Sequence, residues 1–337
     1  MTVRSLTHAL VALGVGAISQ VATAQRPADP STVVQQSAFT IPAWAYPITP
    51  PAPAGAPAPD SVRLLHVPGS ARGYTAASIA DFNRVADWFP RAHPPLPDIV
   101  AHGRKPAVLA CGTCHLPDGQ GRPENAMLAG LPEAYIREQL ADFKAGTRRG
   151  VIDAYAPIPG MVRIASNLTD DEAAAAAAYF SKLRLRSHAR VIESATAPKT
   201  HVVSWIRMAD ANGAREPLGL RIIEVPASEE RHERRDTRLT YYAYVPPGSI
   251  ARGRAIATPS RDSVTQPCVR CHGPDLRGVG MIPPLAGRSP SYLVRQLVAF
   301  RSGARSSAAA APMRAEVAPL SIEQMIAVAA YAGSLKP

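Results

Sequence analysis

Two stretches of the chain carry the same apolar stripe. Ile136, Leu140 and Phe143 fall at i, i+4 and i+7, and Leu293, Leu297 and Phe300 repeat that spacing 157 positions later. This is the period of an amphipathic helix. Pro132 and Pro290 suit first-turn positions, and Gly146 and Gly303 suit left-handed stops. Further on, Leu168-Thr169-x-x-Glu172 and Leu320-Ser321-x-x-Gln324 spell capping boxes that open a last helix in each copy, with Tyr179 and Tyr331 at matching places. Outside the duplicated units the pattern changes. Val202-Val203, Trp205-Ile206, Arg221 to Val225 and Tyr241 to Val245 are short β-rich runs broken by polar turns. The run from Pro50-Pro51-Ala52-Pro53 through Pro59 predicts extended polyproline-type chain, and Thr75 to Trp88 predicts one short helix with Ile79 and Phe82 apolar. The charged cluster from Glu229 to Arg238 reads as a solvated loop. The pattern predicts a mainly α protein built on an internal duplication.

The four cysteines sharpen that expectation. They fall as Cys111-Gly112-Thr113-Cys114-His115 and Cys268-Val269-Arg270-Cys271-His272, which is C-x-x-C-H twice. This is the attachment pattern for c-type haem. Two thiols add across the haem vinyl groups, two intervening residues match the separation of those vinyls, and the next histidine lies under the iron. A zinc site would need no histidine directly after both pairs, and a thioredoxin-like redox motif would sit in a βαβ pattern that the chain lacks. With the histidines in register, the downstream chain matches without a gap for about thirty residues: Pro117-Asp118 with Pro274-Asp275, Gly121 with Gly278, Leu128-Ala129-Gly130 with Leu285-Ala286-Gly287, Gln139-Leu140 with Gln296-Leu297.

The duplication also nominates a second axial ligand. Met161 and Met313 each stand seven residues before the leucine that precedes the capping box, and no other methionine recurs in register. Methionine is ordinarily a flexible core filler, but the matched placement in loops flanked by Pro159 and Pro312 favours ligation. The remaining histidines (His66, His93, His102, His188, His201 and His232) are unrepeated and read as surface or packing residues.

Composition and charge narrow the cellular setting. Of 337 residues 34 are proline, roughly twice average usage, which excludes a long-helix protein. The formal charge is +11, from 37 Lys+Arg against 26 Asp+Glu, and nearly all the cations are arginine. Arginine favours carboxylate and phosphate partners. The first residues read as a secretory signal: Arg4, an apolar run from Ala9 to Ile18, and Ala22-Thr23-Ala24 as a cleavage site. That run is short of the roughly 20 residues a membrane span needs. The mature chain is expected to be periplasmic, soluble or peripherally membrane-associated, without a transmembrane span. Export and the lack of any binding motif dismiss nucleic acid.

These residues resemble class I cytochromes c, and the tandem form looks like the cytochrome c4 group of dihaem electron carriers. The resemblance covers roughly Pro97 to Arg186 and Gly248 to Pro337. It implies two tandem helical haem domains facing one another, with two covalently bound haem c groups on Cys111, Cys114, Cys268 and Cys271. The axial pairs are then His115 with Met161 and His272 with Met313. It also implies that a loop carbonyl accepts the proximal histidine's other N–H. Pro283 can fill that place for His272, and Ala126 stands at the matching position for His115, which puts the stiffness of that loop in question.

The expected organisation is a signal peptide (1–24), a Pro-rich extension (25–96), haem domain 1 (97–190), a β-rich connecting insert (191–247) and haem domain 2 (248–337). The extension is expected to strap over a haem domain, with a tether for a partner as the alternative, and the insert to join the haem domains, with partner docking left open. The expected function is electron carriage, without catalysis, between an exported dehydrogenase or respiratory complex and a terminal oxidase or other cytochrome. Partners with acidic docking surfaces suit the charge. Two alternatives stand beside it. One is a dihaem peroxidase, which needs an openable iron face and an acid/base group. The other is a dedicated cytochrome subunit of a dehydrogenase complex.

Overall fold

The computed structural model describes residues 39–51, 54–259 and 266–337; the expected signal segment and part of the Pro-rich run lie outside them. Residues 40–337 form one compact unit. After a 3-10 turn at Ala43–Ala45 come a short antiparallel pair, β1 (Leu64–Leu65) with β2 (Tyr74–Thr75), and α1 (Ala76–Ala80). The helix expected over 75–88 therefore ends at Ala80. The Asp81 carboxylate accepts from Asn83 N at 2.8 Å, offering the backbone a turn in place of another helical bond. The Asn83 amide then donates to the carbonyls of His102 and Val108, drawing the segment onto the next domain. Ile79 is buried, but Phe82 is 40% exposed.

The first repeat contains α2 (Asp98–Ala101), α3 (Cys111–His115), α4 (Glu133–Lys144), α5 (Pro157–Asn167) and α6 (Asp170–Ser181). Its core gathers Val100, Val108, Met127, Ile136 and Phe180. Thr169 caps α6 through the full reciprocal box with Glu172. Met161 lies inside α5, where the sequence suggested a loop. Pro157 opens that helix and Pro159 stays in its first turn, where an N–H would have no intrahelical partner.

The insert is built on a sheet of order β3-β9-β8: β3 (Ala189–Glu193) runs parallel to β9 (Tyr241–Val245), which pairs antiparallel with β8 (Ile223–Pro226). Two small ladders flank it, β4 (Thr196–Pro198) with β7 (Arg215–Pro217), and β5 (Thr200–Val203) with β6 (Ile206–Ala209). Trp205 is not in a strand. Ser204 and Trp205 take φ of 48° and 63°, the left-handed pair that closes a two-residue hairpin. The cluster 229–238 is not a solvated loop either. Ser228 caps a short helix, α7 (Glu229–Glu233), that buries His232 to 1% exposure, and Asp236 and Thr237 are buried beside it.

The second repeat contains α8 (Ser249–Ala257), α9 (Val269–His272), α10 (Pro290–Arg301), α11 (Ala311–Val317) and α12 (Ile322–Ser334). Met313 sits in α11, again in a helix opened by a proline, Pro312. The α8 and α12 backbones touch at Gly253, where a Cβ would stand 1.9 Å from the Ala327 carbonyl oxygen. The insert is fastened to this repeat by Glu224 of β8. Its buried carboxylate accepts from Ser289 Oγ at 2.7 Å and from Ser291 N at 3.1 Å, at the mouth of α10.

Candidate haem sites

Cys111, Cys114, His115 and Met161 from the first repeat, and Cys268, Cys271, His272 and Met313 from the second, line one continuous cavity of about 1410 Å³. A single small-ligand pocket is typically about 300–1,000 Å³, so this space is sized for more than one such group. Each α3-type turn places a histidine directly after its second cysteine, on the cavity wall.

The two imidazoles are held alike. His115 Nδ1 lies 2.8 Å from the Ala126 carbonyl, and His272 Nδ1 lies 2.8 Å from the Pro283 carbonyl. A carbonyl only accepts, so Nδ1 carries the proton and Nε2 keeps its lone pair for a metal. Burial pushes both histidines below the ordinary pKa, against the opposing carbonyl bond, and so favours the neutral ring. The loop that ends in Ala126 needs no proline to stay in place. Gly121 N donates to the His115 carbonyl at 2.9 Å, as Gly278 N does to that of His272 at 2.7 Å. Both glycines have φ in the left-handed region, and a Cβ on Gly121 would come within 2.6 Å of the Ala126 oxygen. Only glycine lets the chain pass this close to the carbonyl that orients the histidine.

A set of polar residues that the sequence reading overlooked lies where the repeats meet. Arg148 donates to Gln139 Oε1 at 2.7 Å, to Gln296 Oε1 at 3.0 Å and to the Tyr292 hydroxyl at 3.4 Å. Arg305 donates to Gln139 Oε1 at 2.6 Å, to Gln296 Oε1 at 3.3 Å and to the Tyr135 hydroxyl at 3.4 Å. Both guanidiniums are buried, and Arg305 Nε has no partner. These six residues all line the cavity. Two buried cations resting on neutral oxygens and on the faces of Phe143 and Phe300, with no carboxylate among these partners, are under-compensated, and carboxylates entering the cavity would complete them. The donor set thus fits haem, whose propionates are such carboxylates. The signal was available: Arg148 and Arg305 each stand two residues after the matched Gly146 and Gly303.

The first site has an additional wall from the insert. Arg122 pairs with Glu124 at 2.9 Å, His232 Nε2 accepts from Arg122 Nη1 at 3.4 Å, and His232 Nδ1–H donates to the Tyr241 hydroxyl at 3.0 Å. Burial, with Arg122 and Arg235 behind it, drives the His232 pKa well below its ordinary value. Arg235 donates to the Thr113 carbonyl, inside the first C-x-x-C-H, at 2.7 Å. In the second motif Arg270 is exposed and bonds Gln266.

A family model described as cytochrome c matches the chain twice, over residues 100–184 and 252–336. The chain is 32% identical to the thiosulfate dehydrogenase electron acceptor of Stutzerimonas stutzeri, over 61% of this chain and 69% of that one. It is 28% identical to cytochrome c4 of Azotobacter vinelandii, over 69% of this chain and 87% of that one. Among solved structures, thiosulfate dehydrogenase from Marichromatium purpuratum aligns with a TM-score of 0.46 at 30% identity, over 70% of this chain and 38% of its own. Duplicated C-x-x-C-H turns, paired carbonyl-held histidines and two family matches converge: the chain belongs to the cytochrome c family, as a dihaem class I cytochrome with two covalently bound haem c groups.

Proposed function

We propose that this protein is a periplasmic electron carrier in which every ligand comes from its own repeat. Cys111 and Cys114 hold one haem, and Cys268 and Cys271 the other. His115 and Met161 would be the protein's ligands to the first iron, and His272 and Met313 to the second. When bound, haem c supplies a one-electron couple. The chain's part is to fix both imidazoles as neutral ligands, to offer a thioether from a helix that lines the same cavity, and to neutralise carboxylates with Arg148 and Arg305. The observation that carries this reading is the matched pair of histidine–carbonyl bonds in a cavity that also holds the two recurring methionines. A site closed on both faces changes oxidation state with little rearrangement but leaves no position for substrate, which separates it from a dihaem peroxidase.

Electrons would pass from an exported dehydrogenase or respiratory complex to a terminal oxidase or another cytochrome. A role as the dedicated acceptor of a thiosulfate-oxidising dehydrogenase is favoured by the relative from Stutzerimonas stutzeri, whose name states that role. No helix among the described residues is long and apolar enough to cross a membrane. The test is a redox titration of the purified holoprotein, paired with a peroxide assay using ascorbate as donor, before and after half-reduction. Two reversible one-electron steps with negligible peroxide consumption are expected. Rapid peroxide turnover would overturn the carrier reading.

A further inference from the structure

Within the gapless stretch downstream of the histidines, the longest run of mismatches between the repeats spans six positions, 122–127 against 279–284, and its first four differ in character. Arg122, Pro123, Glu124 and Asn125 of the first correspond to Val279, Gly280, Met281 and Ile282 of the second, in the register that aligns the histidines. In the first repeat Arg122 and Glu124 are buried beneath the insert against His232, and Arg295 bonds the Pro123 carbonyl. In the second, Val279, Met281 and Ile282 are 56%, 57% and 37% exposed. They form a tight hairpin, with Val279 and Ile282 exchanging backbone bonds of 3.2 and 2.9 Å. The next residue is Pro283, whose carbonyl holds His272, and Met281 and Ile282 border the cavity.

The same contrast holds at the attachment motifs. Over the first, the Phe82 carbonyl accepts from Ala110 N at 2.9 Å and Thr113 Oγ1 at 3.2 Å, and Arg235 reaches the Thr113 carbonyl. Trp88 Nε1 donates to the Arg234 carbonyl at 2.7 Å, tying the extension and the insert into one cover. Thr113 is fully buried beneath it. Over the second motif, among the described residues, Arg270 and Cys271 are exposed.

The geometry points to the second repeat as the docking face for redox partners, with the Val279–Ile282 hairpin as its apolar centre; the first repeat's matching face is sealed by the chain itself. This rests on the carrier reading and adds which haem edge partners meet. The occupant is an electron-transfer protein with an apolar redox edge inside an acidic rim. Arg277 stands two residues before the hairpin and is exposed, as are Asp275 and, in the attachment motif, Arg270, whose partner Gln266 also meets Glu316. With these local charges balanced, it is the chain's formal +11 that an acidic rim complements in sign. Three exposed apolar side chains make a small patch, which suits a transient electron-transfer encounter rather than a permanent interface.

The test uses the full-length holoprotein and an acidic class I cytochrome c as the probe. With both proteins oxidised, so that no electron passes, hydroxyl-radical footprinting reads methionine and aromatic oxidation. Met281 is expected to be at least fivefold protected by saturating probe, while Phe82 reacts as in the free protein. In stopped flow, Val279→Glu should lower the rate of reduction by the reduced probe at least tenfold relative to the rate with ascorbate. Unchanged Met281 reactivity, protection at Phe82 instead, or equal Met281 protection by anionic lipid vesicles would each overturn the proposal. Failure of the unmutated protein to be reduced by ascorbate would instead sink the carrier reading.

Discussion

His188 makes the stability of this protein pH-dependent in a calculable way. Its ring is buried at the start of β3, edge-on to Tyr241 with centroids 5.8 Å apart, and its Nε2 has no hydrogen-bond partner. Burial, reinforced by Arg186 and Arg288, lowers its pKa from 6.5 to about 4. The unfolded chain, with an ordinary imidazole, takes up a proton at higher pH than the folded one. Stability is therefore intact above pH 6.5 and lost as pH falls toward 4. A gap of about 2.5 units at about 1.36 kcal/mol per unit gives a full effect near 3.4 kcal/mol, of which about 3 kcal/mol is gone at pH 4. His188→Phe keeps a ring against Tyr241 and removes the titration. Urea denaturation of holoprotein and variant, compared at steps from pH 7 to pH 4, isolates the term, because His232 and the other titrating groups are common to both. The variant should gain about 3 kcal/mol on the parent across that interval, whatever its offset at pH 7. A difference that stays constant within about 1 kcal/mol would refute the reasoning.

Three further outcomes are expected. Met161→Ala and Met313→Ala should each remove about half of the near-infrared methionine–iron band of the oxidised protein and lower one potential; a band surviving both changes together would exclude these ligands. Arg270→Glu should slow second-order electron transfer to an acidic partner and reverse part of its salt dependence, since the screening length falls to about 8 Å at physiological ionic strength. A rate flat from low to high salt would remove charge steering altogether. Glu224→Ala should cost about 3 kcal/mol in urea denaturation by stranding the buried donors of Ser289 and Ser291, and Glu224→Gln, which keeps an acceptor, clearly less. Equal losses would show that the packing of the side chain, not its oxygens, fastens the insert.

What the sequence made legible was whatever repeats. The matched glycines, both capping boxes and the carbonyl partners of His115 and His272 are local signals, fixed by backbone chemistry within about a dozen residues. Met161 and Met313 stand out by register but lie in helices rather than loops, because a proline in a helix's first turn looks like a helix breaker until the start of the helix is known. The segment 229–238 was misread for a different reason. Glu229, Glu230, Glu233 and Arg238 are indeed exposed, but His232 is buried and Arg235 half-buried through partners far along the chain, Arg122 for His232 and the Thr113 carbonyl for Arg235, and no local pattern announces such partners. Arg148 and Arg305 lay in plain register, yet their role shows only when each is seen to bond glutamine side chains from both copies.

That exchange has the form of a two-fold homodimer interface. Tyr135, Gln139 and Arg148 of one half meet Tyr292, Gln296 and Arg305 of the other, and the two arginines even bridge backbone to backbone. In an isologous contact a residue of one subunit meets a second residue of the other and the reverse pair recurs, as Arg148 with Tyr292 and Arg305 with Tyr135 do here, so any change in separate identical subunits would fall on both sides at once. Joining the halves in one polypeptide lifts that constraint. The inner faces can stay self-complementary while the outer faces diverge, one roofed by the extension and insert, the other exposed, among the described residues, at Arg270, Cys271 and the 279–282 hairpin. Fusion thus gives the molecule polarity, a front and a back, that a symmetric pair of identical subunits lacks.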